Sequence, residues 1–315
     1  MMTSYFTNKR ILVTGGAGFL GSQVINHLIE NGVDRKSISI PRSRECDLRV
    51  WENCLKSVQG IDIVIHLAAK VGGIGYNREH PAELFYDNAI MGIQLMEAAR
   101  ISGVQKFVAV GTVCAYPKYT PVPFQEEELW NGYPEETNAP YGLAKKMMLV
   151  QAQAYRAQYG YNAIFLIPVN LYGPGDNFNP DSSHVIPALI KKFVDAKENG
   201  DKEVIIWGTG SASREFIYVK DASRAIVLAT EKYNGHEPIN IGAGKEISIK
   251  CLVEIIQNIT KYDGEIIWDA EKPDGQPRRC LNTLKAKTEF GFEAVTPFEE
   301  GLRETVKWYM TNKIS

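Results

Sequence analysis

Apolar runs alternate with helical patterns through the first 172 residues, and this alternation leaves few architectures open. The stretches RILVTG (10–15), SISIP (37–41), IDIVIHLAA (61–69), KFVAVG (106–111) and NAIFLIPVNLYG (162–173) read as strands. Between them, 19–32, 50–60, 81–103 and 141–160 carry helical periodicity. The strands are short and continuously apolar, as expected when helices cover both faces of a sheet. Strand and helix in strict alternation predict an α/β fold with a parallel, doubly wound sheet.

The first strand runs into TGGAGFLGS, with Gly15, Gly18 and Gly21 ahead of a helix. A helix start offers free N–H groups and the positive end of a dipole, which suits a pyrophosphate. Glycines permit the tight turn and close backbone approach that such a ligand needs. Gly15, Gly16, Ala17, Gly18, Phe19, Leu20 and Gly21 are therefore the expected cradle. An acidic residue about 20 residues further on would select NAD. The chain has PRSRECDL there instead. Arg42 and Arg44 suit a 2′-phosphate, because guanidinium is a fork-shaped phosphate ligand. With Ser43, Asp47 and Leu48 they form the expected adenosine end, and NADP(H) is the expected cofactor. The alternative is an exposed loop in which Glu45 or Asp47 touches the ribose.

Tyr141 and Lys145 are four apart on a predicted helix and share one face. The same spacing occurs at Tyr5/Lys9 and Tyr309/Lys313, so spacing alone decides nothing. Only the middle pair opens the helix that follows the fourth strand. A nearby ammonium is expected to lower the tyrosine pKa. Thr112, at the end of that strand, is placed to bond the same substrate oxygen. Cys114 follows two residues later. Its bland reading is a core residue, since free cysteine is often buried.

These features resemble the extended short-chain dehydrogenase/reductases that act on nucleotide sugars. HLAAKVGGIGYN, VCAYPKYTPVPFQEEELWNG, EETNAPYGLAKK, PVNLYGPGDNFNPDSSHVIPALIKKF, WGTGSASREF and KPDGQPRR resemble the family's 3,5-epimerase/4-reductase branch and cover most of the chain in order. The resemblance implies a GDP-4-keto-6-deoxy-D-mannose substrate. It implies Cys114 as a base and His184 as an acid for epimerisation at C3 and C5. It implies Thr112, Tyr141 and Lys145 as the reducing centre. Pro168, Asn170, Leu171, Lys145 and His184 would meet the nicotinamide end. Lys192, Trp207, Arg214, Asp274 and Arg279 would hold the GDP portion. The family often has serine at Thr112, and Lys192 stands where arginine would grip phosphate with two bonds.

After Tyr172 the pattern changes to a turn-rich loop, GPGDNFNPDSS (173–183), and shorter elements, which places a soft boundary there: a Rossmann-type NADP-binding domain over 1–172 and a smaller C-terminal α/β substrate-binding domain over 173–315, some segments of which return to the first. The resemblance also suggests a homodimer built on the two long helices. Rival readings within the family are a 4,6-dehydratase, a 4-epimerase, a GDP-mannose 3,5-epimerase and a GDP-heptose reductase. The dehydratase would carry Asp-Glu where this chain has Val113-Cys114. A rival outside enzymology is a non-catalytic nucleotide sensor, which has no need of a proton donor at Tyr141.

Bulk properties narrow the class further. A net charge of −2 gives no basic field for nucleic acid or membrane. No apolar run approaches the ~18 residues of a membrane helix. Five widely spaced cysteines fit a reducing cytoplasm better than a disulfide framework. No metal site is expected.

Overall fold

In the computed structural model, residues 4–180, 182–272 and 276–313 are described. The first half contains β1 (Ile11–Thr14), α1 (Phe19–Glu30), β2 (Ile38–Ser39), α2 (Trp51–Ser57), β3 (Ile63–His66), α3 (Ile74–Glu79), α4 (Pro81–Ile101), β4 (Lys106–Val110), α5 (Ala139–Tyr159) and β5 (Ala163–Pro168). Then come β6 (Asn170–Tyr172), α6 (Val185–Asn199), β7 (Glu203–Trp207), β8 (Ser213–Tyr218), α7 (Val219–Lys232), β9 (Ile239–Ile241), β10 (Glu246–Ser248), α8 (Ile249–Thr260), β11 (Glu265–Asp269), α9 (Leu284–Phe290) and α10 (Phe298–Asn312).

The main sheet is parallel, in the order β2-β1-β3-β4-β5-β9. Every residue of β1, β3, β4 and β5 is buried, because helices cover both faces. α4 packs against α5, and α1 against α7. Strand order reverses between β1 and β3, which opens a crevice beyond their carboxyl ends, where ligands of such sheets bind. The α/β, Rossmann-type fold class is therefore as the sequence indicates.

Two elements differ from expectation. The run 162–173 is not one strand but two. β5 pairs with β4 and β9, whereas β6 pairs with β8 in a separate three-stranded sheet. The break follows Pro168, which has no N–H to extend a ladder, and Val169 N–H donates to Ile241 O at 2.9 Å. β2 keeps only two residues, because Pro41 and a turn closed by Glu45 N–H to Arg42 O at 2.9 Å end it early.

The chain does not divide cleanly along its length. β9 rejoins the main sheet, and α9 packs beside it. A second core gathers Phe193, Leu252, Ile256 and Leu302 from α6, α8 and α10. β6 leads from one core to the other. Among the described residues, no helix is long and apolar enough to cross a membrane.

Candidate active site

β4 ends at Val110, and the chain turns at once. Thr112 caps a single helical turn over Val113–Ala115, its hydroxyl accepting from Cys114 N–H at 3.2 Å. α5 arrives against this turn. A Cβ on Gly142 would lie 2.4 Å from Cys114 O, so only glycine lets the helix come this close. The approach sets Tyr141 beside Thr112, to whose hydroxyl it is hydrogen-bonded, and beside Cys114. Lys145 follows one turn later and is buried.

Burial dominates the electrostatics. It pushes the Tyr141 phenol up, with a further rise from Cys114 and a smaller opposing effect of the Thr112 hydrogen bond. It pulls the Lys145 ammonium down to about 7. The expected lowering of the tyrosine pKa by a neighbouring lysine charge is therefore reversed here, because the same burial disfavours both charged forms. At neutral pH the phenol is a firmly protonated acid.

Thr112, Cys114, Tyr141, Lys145 and His184 all line one cleft of about 1100 Å³. Cys114 is half-buried and open to this cleft, so it is not a sealed core residue. His184 is the residue before α6 and makes no capping hydrogen bond with its side chain. Its ring is exposed to the cleft, yet the crowding around it lowers the imidazole pKa.

The glycine loop forms the other end of the cleft. Gly18 precedes α1 with no side-chain cap, which leaves first-turn N–H groups for a ligand. A Cβ on Gly21 would meet Gly15 O at 2.2 Å, so the helix closes directly onto the loop. Gly15, Ala17, Gly18, Phe19, Leu20 and Gly21 line the cleft. Gly16 does not; a Cβ there would point at Ile40 and Ile25. Arg42, Ser43, Arg44, Asp47 and Leu48 line the far wall, and Pro168, Asn170 and Leu171 the wall near Lys145. These residues fit a dinucleotide, with bare helix N–H groups at its centre and two exposed arginines at one end. Asp47 is held by Arg49 through its backbone N–H at 3.0 Å and its guanidinium at 2.8 Å, so its carboxylate is already engaged.

The expected GDP contacts lie elsewhere. Lys192 Nζ donates to Ile205 O at 2.7 Å. Trp207, two residues on, is 67% exposed, with Lys272 Nζ 5.7 Å from its ring centre. Arg214 is on β8 and donates to Ser213 O. None of these lines the cleft proper. Arg279 is buried against Cys114, its Nη1 3.8 Å from the sulfur. Asp274 lies outside the described residues.

Other residues of the cleft escaped sequence reasoning. Asp176 has its carboxyl pushed up to about 7 by burial, and its Oδ2 has no hydrogen-bond partner. Asn77 Nδ2 donates to Asn138 Oδ1 at 3.2 Å while its own Oδ1 has no partner. Both asparagines line the cleft. The signal was their place in quoted motifs, HLAAKVGGIGYN, GPGDNF and EETNAPYG, but polar loop residues rarely announce a buried atom.

A proton donor at a helix start beside a strand-end hydroxyl, sharing one cleft with a glycine phosphate cradle, is the arrangement of a dinucleotide-dependent oxidoreductase or epimerase. Residues 11–242 match the model of the NAD dependent epimerase/dehydratase family, and the chain belongs to that family. It is 39% identical over 319 residues to a probable GDP-L-fucose synthase 1 of Oryza sativa subsp. japonica, covering 99% of this chain and 96% of the relative. Its fold matches a GDP-L-fucose synthetase from Naegleria fowleri bound to NADP, with TM-score 0.85, 29% identity, and 97% and 95% coverage. It also matches a GDP-6-OMe-4-keto-L-xylo-heptose reductase from C. jejuni, with TM-score 0.90, 26% identity, and 98% and 99% coverage.

Proposed function

We propose that the chain catalyses the NADPH-dependent 3,5-epimerisation and 4-reduction of GDP-4-keto-6-deoxy-D-mannose to GDP-L-fucose. One observation carries this reading: Cys114 sits on the same turn as Thr112 and beside Tyr141, inside the cleft that holds the glycine cradle. A simple reductase has no use for a thiol there. The names of the rice and Naegleria relatives point the same way.

The roles follow from the chemistry. The C4 carbonyl acidifies the protons on C3 and C5. Cys114 removes each one, and His184 returns a proton to the opposite face. Charge that develops on O4 is met by the Tyr141 phenol and the Thr112 hydroxyl. NADPH, when bound, supplies hydride to C4. Tyr141 then gives O4 its proton, and Lys145 holds the far side of that exchange in a dry setting where small charge changes count heavily. Arg42 and Arg44 receive the 2′-phosphate of NADP(H). Lys192, Trp207, Arg214 and Asp274 take the GDP portion, with 1–172 serving mainly the cofactor and 173–315 mainly the sugar nucleotide.

A homodimer suits the apolar residues exposed on neighbouring helices: Phe85 and Tyr86 on α4, Met147 and Val150 on α5. Five free cysteines suit a cytoplasmic setting.

The test is incubation with GDP-4-keto-6-deoxy-D-mannose and NADPH, with the product identified by NMR. The expected product is inverted at C3 and C5 and reduced at C4. The fold match to the C. jejuni reductase favours a second reading, reduction of a GDP-4-keto-heptose. A product reduced at C4 with C3 and C5 unchanged, or turnover only on a heptose, replaces the first reading with the second.

A further inference from the structure

Arg279 is a buried cation that has no carboxylate partner among the described residues. It is 9% exposed. Its Nε and Nη2 both donate to Gln276 Oε1, at 3.2 and 2.9 Å. Gln276 is tied in turn to Lys118 O at 2.8 Å. The backbone is fixed as well, since Arg279 O accepts from Glu215 N–H at 3.0 Å. Among the described residues no carboxylate pairs with it. Its remaining nitrogen, Nη1, is 3.8 Å from Cys114 Sγ. Buried arginines are normally paired with an anion, and guanidinium stays charged at any working pH. Of the described side chains hydrogen-bonded to the Arg279 guanidinium, Gln276 and Cys114, the one that can become an anion is the thiol.

We infer that Arg279 is a positioning residue that supplies the counter-charge of a Cys114 thiolate, rather than a hand for the nucleotide. Adjacent cations favour thiolates. Two other residues are shown beside Cys114, and neither carries a positive charge. Thr112 meets its backbone N–H and Tyr141 approaches from α5, both uncharged. The arrangement also separates the two proton-handling groups. A negative Cys114 raises the Tyr141 pKa, so a sulfur made anionic by Arg279 keeps the phenol protonated. Base and acid then coexist in adjacent positions. In the reaction, an S–H bond forms as the substrate C–H bond breaks. The electron pair passes to O4, and the arginine charge is unchanged. Arg279 is buried and is not among the side chains that line the cleft, so it can hold the thiolate from outside the sugar space.

The inference rests on the reading of Cys114 as a base, but its test does not require a sugar. The rate of Cys114 alkylation by iodoacetamide is measured against pH by peptide mass spectrometry, with Cys114→Ser as the assignment control. In Arg279→Gln, the alkylation midpoint should move up by at least one pH unit, and the rate at neutral pH should fall about tenfold. Arg279→Lys should recover most of that loss. Gln276→Leu, which loosens the anchor, should shift the midpoint the same way by less. NADPH binding reports that each variant is folded. If Arg279→Gln fails to fold, Arg279→Lys and Gln276→Leu decide the matter. Unchanged midpoints in folded variants overturn the inference. An alkylation shift together with no turnover on the proposed substrate defeats the substrate assignment and leaves Arg279 in its role.

Discussion

Strand β4 has a buried lysine near each end, and the two have opposite meanings. Lys106 opens the strand. Its ammonium donates to Tyr233 O at 2.6 Å, Asn234 Oδ1 at 3.1 Å and Ala229 O at 3.3 Å. This ties the strand to the end of α7. Lys145 lies past the other end, on α5. Its ammonium hydrogen-bonds no described residue, and the side chain lines the cleft. Burial pulls both down to about 7. A shifted pKa alone therefore does not separate structure from chemistry. The separation comes from satisfaction and access. Lys106 has its full set of acceptors and no route to a ligand, whereas Lys145 has neither its acceptors nor a wall in front of it.

The strongest way to break this comparison is to replace both lysines with methionine. Lys145→Met should lower kcat/KM by ~10²–10⁴-fold, the usual range for losing support of an acid–base step. Lys106→Met should leave kcat/KM within about threefold, because no cleft residue touches it. The check is steady-state NADPH consumption at saturating cofactor. Equal losses in the two variants would mean that burial, not access, is what matters.

A second change sharpens the cleft end alone. Gly142→Ala places a methyl 2.4 Å from the Cys114 carbonyl oxygen. In an exposed helix the same change would stabilise by up to ~1 kcal/mol. Here the overlap is with backbone, which yields poorly, so a net cost of ~1–3 kcal/mol is expected. Displacing Tyr141 from Thr112 should also lower turnover by up to about 100-fold. Urea unfolding and turnover are measured together. A more stable, fully active variant would show that α5 does not depend on this contact. The far end of β4 has no such sensitivity, since Lys106 works through a long side chain.

Much of this contrast was readable before any coordinates. Continuous apolar runs announced β1, β3, β4 and β5, and the helix-opening position of Tyr141 separated it from Tyr5 and Tyr309. What stayed hidden depends on contacts between distant residues. Nothing in the run KFVAVG marks Lys106 as an anchor, because its partners are more than 120 positions away. Arg279 looked like a phosphate ligand in a basic turn, and only folding brings it across 165 positions to Cys114. The split of 162–173 between two sheets was equally unreadable, since an apolar run reports burial and not the identity of its neighbour. Asp47 appeared free for a ribose until Arg49 was seen to hold it.

The smallest expected effect concerns stability and pH, and it tests whether Lys106 is buried uncharged. A lysine with a folded pKa near 7 and an unfolded value near 10.5 binds fewer protons when folded. Its burial costs nothing above the unfolded value, and stability is lost as pH falls toward 7. Lys145 acts in the same sense, as does Lys146, pulled down to about 8. Stability should therefore rise between about pH 7 and pH 8.5. Other groups leave this window largely clear. The Asp176 carboxyl, raised to about 7, acts below it, as do the lowered imidazoles of His66 and His184. The Cys54 and Cys280 thiols, pushed up to about 12, oppose the rise only near the upper edge, where unfolded thiols ionise. Lys106→Met should flatten the rise by about 1 kcal/mol per pH unit, while Lys145→Met flattens it similarly and also brings the loss of turnover given above. Urea unfolding across the window reads both. A slope untouched by Lys106→Met would mean that the ammonium keeps its charge among the three oxygens, and that only the cleft lysine titrates near neutrality.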